Sequence, residues 1–254
     1  MKNVYFVGTA GSGKSTLVGA FGEWLGTIGV EAVTVNLDPG VDATPYVPDV
    51  DIRTWVSLDD VMDAYGLGPN GAQIVAADLM AVNIGKLKDE LSNHGSRYAL
   101  IDTPGQLELF AFRQSSSLTI DSLGRGDSFL TYLTDPLLCG TANGFVSGMM
   151  LSTLVQFRLG IPTHTVVTKS DLIDEDDAER LTRWFGDPDP LYFDMLEETS
   201  DPQSVVGTEL LKALESVGVF GGIGTVSARD GTGLEDLHAV LERSLFGGED
   251  PAPE

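Results

Sequence analysis

The chain has 254 residues, of which 42% are hydrophobic, and it carries a formal net charge of −23. This length and apolar content are sufficient for one large α/β domain with a buried sheet. The negative charge argues against nucleic acid as a direct ligand, because nucleic-acid phosphates are bound by lysine and arginine. The single cysteine, Cys139, excludes an intramolecular disulfide and a cysteine-based metal cluster.

Acidic residues are spread along the whole chain rather than gathered in one tail. We interpret this as a protein kept soluble in a salt-rich cytoplasm, where screening makes self-repulsion tolerable. An acidic binding face is the competing interpretation. The longest apolar stretch, residues 145–161, contains Gln156 and Arg158 and predicts a core helix rather than a membrane span. The N-terminus leads directly into a strand, which predicts a cytoplasmic protein without a signal peptide or membrane contact.

The first predicted elements are an apolar strand over residues 4–7 and a helix over residues 14–28. The residues between them match the pattern G-x-x-x-x-G-K-[ST], in which backbone N–H groups and a helix N-terminus surround an anion. We expect Lys14 to reach the β- and γ-phosphates of a nucleotide, and the Ser15 hydroxyl to be a ligand of Mg²⁺. A glycine-rich turn before a helix is the alternative. The predicted phosphate site consists of Gly8, Thr9, Ala10, Gly11, Ser12, Gly13, Lys14, Ser15 and Thr16.

A second strand is predicted over residues 31–37, and it ends at the turn Asp38-Pro39-Gly40. Proline and aspartate then indicate an extended loop over residues 41–56. Ser57 has the position of a cap for a helix that ends near Gly66. A rigid turn, a long amphipathic helix and a third strand are predicted next, over residues 66–71, 72–93 and 98–101.

The second half of the chain continues the alternation of strands and helices. The acidic segment 174–202 is punctuated by proline and predicts a surface lid or helical insertion around Trp184 and Phe185. We predict one domain over residues 1–246, with a variable helical lid at about 174–204, followed by a disordered acidic tail over 247–254. The remaining strands and the last helix are predicted over residues 128–133, 163–168, 223–227 and 234–245.

The order of these elements predicts the fold class. Strands that alternate with helices are typical of an α/β fold with a mostly parallel sheet and helices on both faces. In such folds ligands bind outside the carboxyl ends of the strands. Polar residues that directly follow a predicted strand are therefore the candidates for ligand binding.

The third strand is followed by Asp102-Thr103-Pro104-Gly105-Gln106. A carboxylate at the position of Asp102 can hold Mg²⁺ through its water shell, and the Gly105 N–H group can bind a γ-phosphate oxygen. Gln106 has the spacing of a glutamine that orients an attacking water. The alternative is a simple turn at the end of a strand.

The fifth and sixth strands are followed by residues that resemble the guanine-reading motifs of GTPases. Asp171, in Thr168-Lys169-Ser170-Asp171, would accept hydrogen bonds from the ring N–H and exocyclic amine of guanine, while the stem of Lys169 lies along the base. Ser227 and Ala228 resemble the companion loop, in which the alanine N–H meets the guanine O6. The alternative is an ATPase or ATP-dependent kinase, in which these residues would have no role in recognising the base. A carboxylate facing adenine would lack its partners, which costs about 1–3 kcal/mol.

With these motifs in place, the sequence resembles the GPN-loop GTPase family, of the archaeal single-domain kind. The resemblance extends from Met1 to about Leu245. Gly40 and Thr54 depart from the family pattern, which places alanine at the first position and often an acid at the second. The matching stretches are Asn36 to Pro39, Asp51 to Arg53, Gly66 to Gly71, Asp102 to Phe110, Phe145 to Ser147 and Thr168 to Asp171.

The resemblance implies a P-loop NTPase fold, GTP or GDP with Mg²⁺ as ligands, and a homodimer. It implies that the loop Gly68-Pro69-Asn70 of one subunit reaches the phosphate end of the other subunit's site, where Asn70 acts. It also places Asp38, Gln106 and Glu108 among the polar residues around Mg²⁺ and water. Two alternatives stay open: Asn70 as a cap of the following helix, and Asp38 as a turn former.

Two classes of function fit these features. The first is a Mg²⁺-dependent enzyme that hydrolyses GTP to GDP and phosphate and acts as a switch or assembly factor. The second is a nucleotide-gated protein-binding module with little turnover. Relatives take part in the assembly of RNA polymerase complexes, so the resemblance implies a protein client for either class. Arg53 and Arg113 are the candidates for an arginine finger, whereas the three histidines lack the spacing of metal ligands.

Overall fold

The computed structural model describes residues 1–198, 202–220 and 222–247. Within these ranges the strands form one parallel sheet with the spatial order β3-β2-β4-β1-β5-β6-β7. The strands are β1 (Lys2–Gly8), β2 (Ala32–Asn36), β3 (Val50–Asp51), β4 (Tyr98–Asp102), β5 (Ser128–Thr134), β6 (Thr163–Val167) and β7 (Ile223–Thr225).

Helices follow nearly every strand and cover both faces of the sheet. In β1, Val4 and Phe6 pack into a buried cluster with α1 and α11, whereas Tyr5 and Val7 pack into a second cluster with α3, α4, α5 and α7. This arrangement confirms the predicted α/β fold. The helices are α1 (Lys14–Thr27), α2 (Leu58–Tyr65), α3 (Pro69–Leu91), α4 (Leu107–Ala111), α5 (Gln114–Leu123), α6 (Pro136–Cys139), α7 (Ala142–Leu159), α8 (Glu175–Gly186), α9 (Pro188–Glu198), α10 (Pro202–Ser216) and α11 (Leu234–Phe246).

The central strand β1 determines where a ligand can bind. It pairs with β4 on one side and with β5 on the other, so the chain crosses the sheet in opposite directions from this strand. The carboxyl ends of the three strands, at Gly8, Asp102 and Thr134, therefore lie side by side. A crevice forms at such a reversal, and it is where open α/β sheets bind their ligands.

The segment 41–56, which we expected to be an extended loop, contains the short strand β3 and a single 3₁₀ turn at Ile52–Thr54. The expectation of loop throughout is therefore wrong. Val50 and Asp51 pair with Val35 and Asn36 at the edge of the sheet. Two residues are too short to show the alternation of polar and apolar residues that identifies a strand.

The Gly-Pro-Asn segment also differs from expectation. Residues 66–71 do not form a separate turn, because α3 begins at Pro69 with Gly68 as its N-cap. Proline is well suited to the first helical position, where its missing N–H group has no intrahelical partner. Asn70 lies inside the first turn, so the interpretation of Asn70 as the helix cap is wrong.

The segment predicted as a lid is helical, but its centre is not at the surface. Trp184 is fully buried, with its ring centroid 5.4 Å from that of Phe145, and its Nε1–H donates to Asp194 at 2.8 Å. Helices α8 and α9 thus pack on α7 around Trp184. Residues 199–201 and the predicted tail beyond Gly247 lie outside the described residues.

In the part of the chain that the structure describes, no helix combines the length and the hydropathy needed to cross a membrane. The longest apolar stretch forms most of α7, with Phe145, Met149 and Val155 fully buried, which confirms the predicted core helix.

Candidate functional site

The phosphate loop lies where the motif predicts it, between the end of β1 at Gly8 and the start of α1 at Lys14. Gly13 precedes the helix with φ +90°, a conformation that side chains other than glycine rarely adopt. The Lys14 side chain is buried, and its Nζ donates to the carbonyl oxygens of Gly8 and Thr9, both at 3.0 Å. Burial lowers the pKa of Lys14, and the charges of Asp102 and Asp38 oppose this shift.

The carboxylate of Asp102 is buried beside the phosphate loop. Its Oδ2 accepts a hydrogen bond from the Tyr46 hydroxyl at 3.1 Å, while Oδ1 has no hydrogen-bond partner among the described residues. Burial raises the pKa of Asp102 to about 6, although the hydroxyls of Ser15 and Tyr46 and the charge of Lys14 act in the opposite direction. A buried, unpaired carboxylate oxygen is energetically costly, which indicates that a ligand satisfies it.

These residues fit a hydrated Mg²⁺ ion. Asp102 supplies the unpaired carboxylate oxygen, and Ser15 in the phosphate loop supplies a hydroxyl. The described residues contain no group of three or more histidine, cysteine, aspartate or glutamate side chains arranged to hold a metal. Mg²⁺ suits this sparse donor set, because it retains several waters and takes further ligands from nucleotide phosphates.

Asp38 follows β2 and joins the same site. Its Oδ1 accepts from the Gly40 N–H at 2.9 Å, and its Oδ2 accepts from the Gly105 N–H at 3.0 Å. Asn36 fixes this position, because its side chain bonds both the N–H and the carbonyl of Asp38, at 3.0 and 3.2 Å. The N–H group expected to bind a γ-phosphate is thus held by a carboxylate, which a phosphate oxygen would have to replace.

Gln106 and Glu108 lie at the start of α4, next to the phosphate loop, and both residues are exposed to solvent. The carbonyl of Gly105 is 3.4 Å from Lys14 Nζ, which places this segment at the phosphate end of the crevice.

A cavity of about 160 Å³ lies at the other end of the phosphate loop. The Asp171 side chain is 15% exposed, and its Oδ1 accepts from the Ser227 hydroxyl at 2.9 Å. Ser227 itself is fully buried, so this hydrogen bond orients the carboxylate. The cavity is lined by Gly13, Thr16, Leu17, Thr168, Lys169, Asp171, Leu172, Val226, Ala228 and Arg229.

The strand-end loop after β6 is hydrogen-bonded directly to the phosphate loop. Thr168 Oγ1 donates to the Ser12 carbonyl at 2.8 Å, and Lys169 Nζ donates to the Gly11 carbonyl at 2.8 Å and to Asp135 at 2.6 Å. Among the described residues, Lys169 is the only non-glycine residue with a positive φ, at 53°. Such strain persists where surrounding contacts require it, and here the contacts join the two halves of the site.

Sequence reasoning missed Asn36, Tyr46 and Asp135, which hold Asp38, Asp102 and Lys169 respectively. Asn36 lies within a matching stretch, and Asp135 directly follows a strand, so both carried a signal. Tyr46 carried none, because it lies in a loop whose path cannot be read from local pattern.

The two candidate arginine fingers are engaged in ion pairs. Arg53 is bidentate to Asp51 and also donates to the Val41 and Asp42 carbonyls. Arg113 pairs with Asp78 at 2.6 Å.

We predict that Gly8→Ala weakens nucleotide binding by about ten- to a hundredfold, the effect of overpacking at 1–3 kcal/mol. A Cβ at Gly8 would lie 2.4 Å from the Leu133 carbonyl oxygen, so the phosphate loop would have to shift. Gly11→Ala is the matched control, because a Cβ there meets no atom within 4 Å and only the positive φ opposes it. Nucleotide titration calorimetry measures both, and equal losses would contradict the steric account.

Comparison with known proteins identifies the family. A family profile described as "Conserved hypothetical ATP binding protein" matches residues 6–246. The chain is 32% identical over 239 residues to GPN-loop GTPase PAB0955 of Pyrococcus abyssi, covering 93% of this chain and 94% of the relative. It is 32% identical over 212 residues to GPN-loop GTPase 3 of Saccharomyces cerevisiae, covering 82% and 77%. The crystal structure of PAB0955 in the apo form matches with a TM-score of 0.84 at 31% identity, covering 96% of this chain and 97% of that one. The chain therefore belongs to the GPN-loop GTPase family.

Proposed function

We propose that the protein binds GTP with Mg²⁺ and hydrolyses it to GDP and phosphate. The observation that carries this proposal is that Lys14 and Asp171 lie on two loops that are hydrogen-bonded to each other, where they would bind the two ends of one nucleotide. Hydrogen bonds from Thr168 and Lys169 to the phosphate loop fix the distance between these ends. The names of the relatives support the same activity.

The proposed chemistry is positioning and charge stabilisation. Lys14 and the loop N–H groups hold the phosphates, and Ser15 and Asp102 hold the metal shell. Bound Mg²⁺ would neutralise charge on the phosphate oxygens. Gln106 orients the water, whose oxygen bonds to the γ-phosphorus as the bond to the β,γ-bridging oxygen breaks. GDP leaves with that bridging oxygen, and the proton of the water passes to the released phosphate. Asp38 and Glu108 are proposed to lie beside the attacking water. The other residues proposed to bind the nucleotide are Gly8, Thr9, Ala10, Gly11, Ser12, Gly13, Thr16, Gly105, Lys169, Ser227 and Ala228.

The choice of guanine over adenine rests on Asp171. The matching family profile is described as ATP binding, whereas the relatives are named GTPases. Asp171 is held by Ser227 as an acceptor at the cavity, and guanine presents two N–H donors to such an acceptor. Adenine lacks both donors in that geometry, so Asp171 would gain no hydrogen bond from the base and would keep only the Ser227 hydroxyl and Arg229, at 2.9 and 3.6 Å.

The test of this choice is Asp171→Asn. We expect preference to move from guanine toward xanthine nucleotides by about ten- to a hundredfold, because an amide can donate where xanthine carries an oxygen. Competition between GDP and xanthosine diphosphate for the protein measures the ratio. Asp230→Asn, at an exposed position nearby, is the control. An unchanged ratio in the Asp171 variant would contradict the guanine assignment.

We also propose a homodimer in which Asn70 acts across the interface. Gly68, Pro69 and Asn70 are all exposed at the start of α3, so the loop is accessible to a second subunit. Asn70 would then lie beside the γ-phosphate or the attacking water of the partner. The rigid first turn of a helix suits this role, because it holds the side chain in a fixed position.

We predict that Asn70→Ala lowers the hydrolysis rate about a hundredfold, as the loss of one transition-state donor does, with little effect on GTP affinity. Mixed dimers of an Asn70→Ala subunit and a Lys14→Ala subunit should recover activity. In such a dimer the Lys14→Ala subunit supplies an intact Asn70, and the Asn70→Ala subunit supplies an intact phosphate loop. Single-turnover hydrolysis at increasing fractions of the Lys14 variant measures this recovery. Activity that only declines with that fraction would argue against action in trans.

A second candidate function, the nucleotide-gated binding module, is favoured by the surface of α7. Leu154 and Phe157 are 42% and 82% exposed, although Met149 on the same helix is fully buried. An exposed apolar surface of this kind suits a protein client, for which the family resemblance suggests RNA polymerase assembly. Turnover separates the candidates, because a module of this type stays loaded with nucleotide until its client releases it.

A further inference from the structure

The loop over residues 41–49 lies between β2 and β3 and reaches across the phosphate end of the crevice. Both ends of the loop are anchored. Arg53 holds the Val41 and Asp42 carbonyls at 3.0 and 3.1 Å, and Asp49 accepts from the Thr34 N–H at 2.8 Å. In the middle of the loop, the Thr44 hydroxyl donates to the Tyr46 carbonyl at 2.7 Å, and Tyr46 packs against the buried cluster of α1.

Tyr46 connects the middle of this loop to the site. Its hydroxyl donates to Asp102 Oδ2 at 3.1 Å, while the neighbouring Val47 is 91% exposed. The other side of Tyr46 rests on α1, the helix that begins in the phosphate loop. A methyl group at Gly19 would lie 3.1 Å from Tyr46 Cβ and 3.6 Å from its ring atoms Cγ and Cδ1, so the ring sits directly on the helix backbone.

The two oxygens of Asp102 are in different states. Oδ2 is occupied by Tyr46, whereas Oδ1 is buried and has no hydrogen-bond partner among the described residues. A carboxylate held at one oxygen cannot rotate freely, so the unpaired oxygen keeps its direction. Supporting hydrogen bonds of this kind orient metal-binding side chains and raise metal affinity.

We propose that Tyr46 is a positioning residue for Mg²⁺, which holds Asp102 in its metal-binding orientation and links metal affinity to the order of the loop over residues 41–49. The inference rests on the proposed function, because it assumes a Mg²⁺–nucleotide ligand at Asp102. The linkage is reciprocal: a metal that binds more tightly when the loop is ordered also orders the loop.

The first test is Tyr46→Phe, which keeps the ring on Gly19 and removes the hydroxyl. Release of N-methylanthraniloyl-GDP is followed at increasing free Mg²⁺. The Mg²⁺ concentration at half-maximal retention should rise about tenfold or more, since Asp102 loses the hydrogen bond that orients it for the metal. Affinity for the probe in EDTA should stay unchanged. Tyr192→Phe, at an exposed tyrosine on α9, is the matched control.

The second test is Gly19→Ala, which keeps the hydroxyl and displaces the ring from its seat. Alanine favours the helix but crowds Tyr46, so the Mg²⁺ requirement should rise as it does for Tyr46→Phe, and by less. Hydrogen exchange of the peptide covering residues 41–49 gives a readout without nucleotide. Both variants should exchange faster there than the wild-type protein, and Tyr192→Phe should not.

An unchanged Mg²⁺ requirement in Tyr46→Phe overturns the inference while leaving the proposed function intact. A higher requirement in Tyr46→Phe with wild-type exchange over residues 41–49 also overturns it, because the loop would not be linked to the metal. A wild-type protein that retains no guanine nucleotide at any Mg²⁺ concentration contradicts the proposed function, and this inference with it.

Discussion

The buried ammonium group of Lys14 is the charge on which the candidate site depends. The residue is 5% exposed, and its Nζ lies within 3.4 Å of the carbonyl oxygens of Gly8, Thr9 and Gly105. A buried charge is costly unless it is paired, and burial does lower the pKa of Lys14. The nearby carboxylates of Asp102 and Asp38 oppose that shift. These carbonyl oxygens and carboxylates compensate the Lys14 cation, so a nucleotide phosphate would replace existing partners of Lys14.

The parallel sheet brings the compensating groups together. Because the carboxyl ends of β1, β4 and β5 lie side by side, residues far apart in the chain reach one crevice. The hydrogen bonds from Thr168 and Lys169 then connect the loop after β6 to the phosphate loop after β1. A shift in one loop therefore displaces the other. This connection also explains why Lys169 keeps a strained backbone conformation.

Long periodic elements and motifs with a fixed mechanism were predictable from sequence, and contacts between distant loops were not. The phosphate loop and the six longer strands carry local patterns, so their positions follow from spacing. The two-residue strand β3 forms by pairing with β2, which local sequence does not indicate. Helix α3 begins at Pro69, since proline is favoured at the first helical position. Trp184 occurs in an acidic segment, yet the aromatic cluster with Phe145 buries it. Tyr46 reaches Asp102 across 56 positions, a contact that no local pattern records.

The most direct test of the proposed GTP hydrolysis is to measure phosphate release from GTP and from ATP, side by side, with Mg²⁺ and molar KCl. Salt is included because it screens the repulsion within a chain that has a net charge of −23. We expect phosphate release from GTP that stops when Mg²⁺ is removed, with little release from ATP. Equal or faster release from ATP would contradict the role proposed for Asp171. It would also contradict the proposal that one crevice binds the guanine base and positions the γ-phosphate of GTP for hydrolysis.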